Sequence, residues 1–328
     1  MRADPVISGY PCRTMRVFTD PRCLDHHAPR GYPERPERLS GVVAHLRQQG
    51  WDLQEGAPGE ANRERAREAV LDVHEELYVG RFERAVQRGD SLLDSADNPL
   101  SPGTWEASWA AVETTLAAAD WAIEGQPSFA AVRPPGHHAE RSVAMGFCFF
   151  NNVAVAAQHL RRRHGAERVA IFDYDVHHGN GTQHLFERRA DIFYVSTHQY
   201  PFYPGTGSAS ETGVGEGEGA TLNVPLPART DDAGYEEVIR GRVIPALRAF
   251  GPEVLLVSAG FDAWQHDPLG GMQVTEEGFR SWSAWLRELA DEICGGRLMA
   301  VLEGGYDLVS LPRLVEAALE GFSNPQNY

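Results

Sequence analysis

The sequence predicts an α/β fold, a central and mostly parallel sheet with helices on both faces. Short runs rich in β-branched and aromatic residues alternate along the chain with longer helix-like segments, the order that repeated βαβ units produce. The unusual polar clusters each follow one of the strand-like runs, and open parallel sheets hold ligands beyond the carboxyl ends of their strands. A chain of 328 residues that is 42% apolar is large enough to bury both faces of such a sheet.

In chain order, the strand candidates are Val17–Thr19, Phe129–Val132, Val169–Phe172, Ile192–Ser196, Leu222–Val224, Val254–Ser258 and Leu298–Leu302. Helix candidates lie between them. Arg35–Gln49 follows Pro33 and stops at Gly50; Thr104–Glu124 opens on T-x-E and ends at Gly125; Val153–His164 stops at Gly165. Asp232–Phe250 closes at Gly251-Pro252, Thr275–Cys294 closes at Gly295-Gly296, and a last helix covers Leu311–Gly321. Glycine past a helix end relieves the left-handed turn that ends it, which is why these stops are legible. Leu93–Gly103 and Pro201–Gly219 read as long loops, which in compact domains are often functional. Gly213–Gly219 is glycine-rich, but it precedes a strand and lacks the Lys and helix start of a phosphate loop. With no repeat and no linker in view, a single domain is expected over residues 15–328, behind a flexible extension over residues 1–14.

The balance of 30 Lys plus Arg against 46 Asp plus Glu gives a net charge of −16, which disfavours direct contact with nucleic acid. That field would attract a cationic substrate, although an acidic surface also serves solubility alone. No apolar run reaches the roughly 18 residues of a membrane span. Met1 to Thr14 lack a basic start followed by an apolar core, so no secretory signal is expected. Cys12, Cys23, Cys148 and Cys294 show no paired spacing, which favours free thiols in a reducing cytoplasm.

The stretch V-A-I-F-D-Y-D-V-H-H-G-N-G-T, Val169 to Thr182, sets Asp173, Asp175 and His177 at alternate positions. In an extended chain that period of two puts all three on one face, where carboxylates and an imidazole suit a Zn²⁺-like cation. An acidic turn closed by Gly179 and Gly181, with solvated histidines, stays open on this stretch alone. Three other segments point the same way: R-P-P-G-H-H-A with His137 and His138, A-G-F-D with Asp262, and E-G-G-Y with Tyr306. Asp175, His177 and Asp262 would supply three ligands and leave a position for water, the pattern of a catalytic rather than a closed structural site. His137 and His138 suit proton transfer, with Asp173 and Asn180 as acceptors that fix their tautomers. Tyr306 is placed to donate a hydrogen bond to an oxyanion. Together these describe amide or ester hydrolysis.

These motifs resemble the histone deacetylase and acetylpolyamine amidohydrolase family, on the arginase-like α/β fold. The likeness is carried by Y-P-E-R-P-E-R-L at Tyr32–Leu39, R-P-P-G-H-H-A at Arg133–Ala139, G-F-C-F-F-N-N at Gly146–Asn152 and D-Y-D-V-H-H-G-N-G-T at Asp173–Thr182. It continues with F-Y-P-G-T-G at Phe202–Gly207, N-V-P-L at Asn223–Leu226, A-G-F-D at Ala259–Asp262 and E-G-G-Y at Glu303–Tyr306. The resemblance implies zinc on Asp175, His177 and Asp262, His138 as general base and acid, His137 as its electrostatic neighbour, and Tyr306 polarising the acyl carbonyl. It implies a channel lined by Gly146, Phe147 and Tyr203, and a structural K⁺ held by Asp173, Ser196 and main-chain carbonyls around Asp175, His177 and Thr197. Bacterial relatives often assemble as dimers or tetramers, so a homo-oligomer is among the expected assemblies.

Departures from the family pattern narrow this. Two-metal relatives carry further aspartates where Gly179 and Trp264 stand here, so one catalytic metal is expected. Asn180 replaces an aspartate of some branches, which resembles the class II and bacterial branch. Polyamine-specific members carry a glutamate where this chain has Leu269, which favours an acyl-lysine substrate over acetylpolyamine. Asp97 reads either as a holder of substrate backbone or a distant ammonium, or as a solvated turn. Tyr203 stands where phenylalanine is common and brings a hydroxyl to the channel rim. The expected function is a zinc-dependent deacylase of acetyl-lysine; acetylpolyamine hydrolysis is the close alternative, and a weakly catalytic acyl-lysine binding module the distant one.

Overall fold

The computed structural model describes residues 14–56 and 59–323. The expected extension therefore lies outside the described residues, except for Thr14, whose hydroxyl donates to the Ser323 carbonyl at 3.2 Å.

Ten strands form among the described residues: β1 (Arg16–Thr19), β2 (Leu53–Glu55), β3 (Leu92–Leu93), β4 (Ser95–Pro99), β5 (Ser128–Ala131), β6 (Val169–Asp173), β7 (Ile192–Gln199), β8 (Thr221–Leu226), β9 (Val254–Ala259) and β10 (Leu298–Leu302). Eight of them make one sheet in the order β2-β1-β5-β10-β9-β6-β7-β8, and every pairing in it is parallel. Strands β5, β6, β7, β9 and β10 are buried at every residue. Burial on both faces is why they read as continuous apolar runs rather than alternating ones.

The helices are α1 (Pro36–Gln48), α2 (Glu60–Leu71), α3 (Glu76–Arg88), α4 (Thr104–Ile123), α5 (Asn152–His164), α6 (Asn180–Phe186), α7 (Asp232–Val238), α8 (Ile244–Phe250), α9 (Glu276–Cys294) and α10 (Leu311–Ser323). Helix α4 packs on α5 and α2, and α10 packs on α9 and α1. No helix among the described residues is long and apolar enough to cross a membrane.

Three expectations need correction. Leu93–Gly103 is not simply loop: β3 and β4 pair antiparallel there, tying residue 97 to a fixed backbone. The helix expected over Asp232–Phe250 is broken by a π turn at Ile239–Val243, an irregularity that leaves the apolar periodicity on either side unchanged. Strand β2 and helices α2, α3 and α6 were not anticipated. Helix α2 buries only Ala66, Ala69 and Val70, too thin a stripe for periodicity to stand out.

A buried ion network joins the N-terminal segment to the strand ends. Arg133 forks onto Glu34, Nε to Oε1 at 2.8 Å and Nη2 to Oε2 at 2.7 Å, and gives Nη1 to the Cys23 and His26 carbonyls. Arg38 shares Glu34 and donates to the carbonyls of Glu303 at 2.5 Å and Gly305 at 2.6 Å. Burial opposes the Glu34 charge, but Arg133, His26 and Arg38 outweigh it and hold the carboxyl down to about 2. Breaking such a pair from one side leaves an uncompensated buried charge, costing about 3–5 kcal/mol.

Candidate active site

Because β5, β10, β9 and β6 are consecutive neighbours in one parallel sheet, the segments that leave their carboxyl ends meet. His137 and His138 follow β5, Asp173 ends β6 with Asp175 and His177 after it, Asp262 follows β9 and Tyr306 follows β10.

The chain leaves extended conformation after Asp173, the last residue of β6 paired to β7 and β9. The alternation of Asp173, Asp175 and His177 therefore runs past the end of the strand. Asp173 turns to His137, while Asp175 and His177 join Asp262. His177 Nδ1 lies 3.1 Å from Asp175 Oδ1 and 3.1 Å from Asp262 Oδ2. One ring proton cannot satisfy two buried carboxylates at equal distance, whereas one cation can. Ligand atoms on a tetrahedral Zn²⁺ stand about 3.3 Å apart at bond lengths of about 2.0–2.1 Å, so the donor set fits a single borderline divalent ion. Each carboxylate's second oxygen is held by backbone: Gly304 N–H donates to Asp175 Oδ2 at 2.8 Å and Val176 N–H to Asp262 Oδ1 at 2.9 Å. A Cβ on residue 304 would stand 2.2 Å from Asp262 Oδ2, which is why glycine is required there. At the two-metal positions, a Cβ on Gly179 would stand 2.2 Å from Asp173 Oδ2, leaving no room for a carboxylate.

The two histidines stack with ring centroids 4.0 Å apart. His137 Nδ1 lies 3.0 Å from Asp173 Oδ2. Burial works against a charge on His137, but Asp173 and Asp175 prevail and lift it to about 10. His138 Nδ1 lies 2.7 Å from Asn180 Oδ1. The Asn180 amide donates its Nδ2 to Glu140 Oε1 at 2.6 Å, so its oxygen faces the ring, His138 carries its proton on Nδ1, and Nε2 is left able to accept one. Burial and then the neighbouring charges of His137 and His177 push His138 well below its ordinary value.

A pocket of about 320 Å³ opens over this group, bordered by His138, His177 and Tyr306 at its chemical end and by Gly146, Phe147, Tyr203 and Leu269 along its walls. Phe147 meets Tyr306 at 5.7 Å between centroids, and Phe202 stacks on His177 at 5.3 Å and 16°. Asp97 borders the same pocket, and its Oδ2 accepts from Gly146 N–H at 3.0 Å and from the Tyr203 hydroxyl at 3.0 Å. The solvated-turn reading of Asp97 therefore fails. Burial raises the Tyr306 phenol well above its ordinary range; the Arg38 charge opposes this, and Asp262 and Asp175 add to it.

Of the residues expected at the monovalent-cation position, Asp173 and Ser196 are paired across β6 and β7. The Ser196 hydroxyl lies 2.9 Å from His198 Nδ1. The buried Thr197 hydroxyl has no hydrogen-bond partner among the described residues.

Four supporting residues went unremarked in the sequence reading. Glu140 orients Asn180, and Phe202 covers His177. Asp267 accepts the Tyr306 amide at 2.6 Å and the Asp307 amide at 3.1 Å, fixing the loop that carries the phenol. Glu303 accepts the Gly136 and His137 amides at 2.6 and 3.1 Å. All but Asp267 and Glu140 lie inside the quoted motifs; those two had no signal beyond proximity to them.

Residues 32–322 match the histone deacetylase domain family. The chain is 43% identical over 256 residues to the chloroplastic histone deacetylase 14 of Arabidopsis thaliana, a match spanning 74% of this chain and 60% of that protein. It is 37% identical over 316 residues to the probable deacetylase of Archaeoglobus fulgidus, 93% of this chain and 87% of that one. Among solved structures, the acetylpolyamine aminohydrolase of Burkholderia pseudomallei superposes with a TM-score of 0.84 at 32% identity, covering 95% of this chain and 99% of that chain. The architecture is accordingly the arginase-like one, and the chain belongs to the histone deacetylase and acetylpolyamine amidohydrolase family, hydrolases of acetylated amides.

Proposed function

We propose that this chain is a zinc-dependent deacylase that removes an acetyl or similar acyl group from a lysine side chain. The observation that carries the reading is the group Asp175, His177 and Asp262, its ligand atoms within 4.8 Å of one another, with His177 bordering the pocket beside His138 and Tyr306. A bound Zn²⁺ would act as Lewis acid toward the acyl carbonyl and raise the acidity of water near neutral pH. The chain's own residues supply the rest. His138, its Nδ1 proton committed to Asn180, takes a proton on Nε2 from the attacking water and returns it to the departing amine. His137, held cationic by Asp173, keeps the neighbouring ring from being protonated prematurely. Tyr306 donates its phenolic proton in a hydrogen bond to the carbonyl oxygen as charge develops there. Phe147 and Tyr203 fit a narrow unbranched alkyl chain between them.

The cation position is read as K⁺ on Asp173 and Ser196, with carbonyls near Thr197, since oxygen donors suit hard ions. Cys23, Cys148 and Cys294 are buried free thiols, in keeping with a reducing cytoplasm. A second reading, acetylpolyamine hydrolysis, draws on the likeness to the Burkholderia enzyme and the net charge of −16. Leu269 weighs against it, because a leucine at the pocket wall cannot pair with a second ammonium.

The test is turnover by Zn²⁺-loaded protein of an acetyl-lysine peptide beside acetylputrescine and acetylspermidine. Higher kcat/KM on the peptide is expected. Preference for the polyamines would transfer the assignment to the second reading, and no turnover of any of them would remove both.

A further inference from the structure

A second group of metal-ligating side chains lies apart from the pocket. Asp120 stands near the carboxyl end of α4, and His159 and His164 occupy the last turns of α5. Both helices run on into the amino ends of β5 and β6, so this group sits at the opposite edge of the sheet from the catalytic cluster. His159 Nε2 and His164 Nε2 each lie 2.7 Å from Asp120 Oδ1. The three ligand atoms fall within 4.8 Å of one another. Arg65 donates to the other oxygen, Oδ2, at 2.5 Å, which orients the carboxylate and leaves Oδ1 directed at the two rings.

From these positions we infer a second divalent-metal site, formed by Asp120 Oδ1 and the Nε2 atoms of His159 and His164, that joins the ends of α4 and α5. Two imidazoles and one carboxylate are donors for Zn²⁺, Co²⁺ or Ni²⁺ rather than for Mg²⁺ or Ca²⁺. A tetrahedral ion would require ligand atoms about 3.3 Å apart, so each ring would withdraw by about 0.6 Å from its present contact with Asp120. His159 is buried, while the His164 side chain is 23% exposed, which gives an ion a way in. A depression of about 560 Å³ adjoins His159, lined also by Arg65, Asp72, Arg162 and Arg163. The Arg162 charge there is matched by Asp72 at 2.5 Å. The Arg65 guanidinium beside Asp120 leaves Oδ1 as the carboxylate oxygen open to an ion between the two rings. No step of the hydrolysis passes through this site; its expected effect is on the stability of the helix pair, by linkage to bound metal.

The test is metal content after equilibrium dialysis of the full chain against micromolar Zn²⁺. Two Zn²⁺ per chain are expected for the unaltered protein, and one for His164→Ala and Asp120→Asn, with turnover of an acetyl-lysine peptide unchanged in both. Titration is followed in parallel by the ring NMR signals of His159 and His164 in the unaltered chain, a readout independent of whether any variant folds. These signals should move together as one Zn²⁺ equivalent is added. A single Zn²⁺ in the unaltered protein, two in every variant, or ring signals indifferent to Zn²⁺ would each overturn the site.

Discussion

The Tyr203 hydroxyl donates to Asp97 Oδ2 at 3.0 Å, and the same oxygen accepts the Gly146 amide. One carboxylate from the β3–β4 hairpin thus pins two walls of the pocket that lie far apart in sequence. Burial, and then Asp97, keep the Tyr203 phenol protonated and able to donate. Tyr203→Phe removes one charge-assisted bond at a half-exposed rim, a loss of about 1.5 kcal/mol. On the order of a tenfold fall in kcat/KM for an acetyl-lysine peptide is expected. Asp97→Ala, which also frees the Gly146 amide, should fall further. Equal losses in the two variants would mean that the carboxylate acts only through Tyr203.

How much of this was legible in the sequence follows from where each residue sits. Asp175, His177, Asp262 and Tyr306 were found because each follows a fully buried strand, and a parallel sheet brings such ends together whatever their separation in the chain. The role of Asp173 as partner of His137 was legible too, although an alternating pattern carries no mark of where the strand stops. Asp97 was undecided because its partners, Tyr203 and the Gly146 amide, belong to segments that only the folded hairpin brings near. Helix α3 could have been read: Tyr78, Phe82 and Ala85 are buried at helical spacing, and Gly89 closes it in left-handed conformation. Helix α2 could not, since its buried face is two alanines and one valine.

In the proposed mechanism Asn180 is the neutral partner of the His138 ring at Nδ1. Asn180→Asp places a negative charge 2.7 Å from Nδ1, favours the protonated ring and raises its pKa. Because the base must be neutral, the acid limb of the kcat/KM profile should move to higher pH, by on the order of one unit. An unmoved limb would assign that limb to another group.

His74 is buried and neutral: its Nδ1 lies 2.9 Å from the Glu140 carbonyl, and its Nε2 accepts the Asn151 amide at 2.9 Å. Burial lowers it from an ordinary value of 6.5 to about 4. The unfolded chain therefore binds more protons between those values, so the stability from this residue is complete above pH 6.5 and is lost as the pH falls to about 4. The shift corresponds to about 3 kcal/mol. His26, also lowered to about 4 by burial, acts in the same direction. His74→Gln should be less stable than the unaltered protein at pH 7.5 by urea midpoint, with the gap closing toward pH 4. A constant gap would show that the ring does not titrate with unfolding.

Leu269 offers the sharpest handle on substrate class. Its amide is held by Asp267 Oδ1 at 2.9 Å, so its position on the pocket wall is set by backbone and survives a change of side chain. The residue is half-buried, and Leu269→Glu can keep its carboxylate hydrated without unfolding the loop. A partly exposed ion pair with a substrate ammonium is worth about 1 kcal/mol, and the protein's own charge of −16 adds to the attraction for a polycation at low salt. The ratio of kcat/KM for acetylspermidine to that for an acetyl-lysine peptide should rise by about fivefold, and the gain should shrink in high salt. A ratio that stays put would mean that the distant amine never reaches this wall, and that discrimination between lysine and polyamine is made elsewhere along the channel.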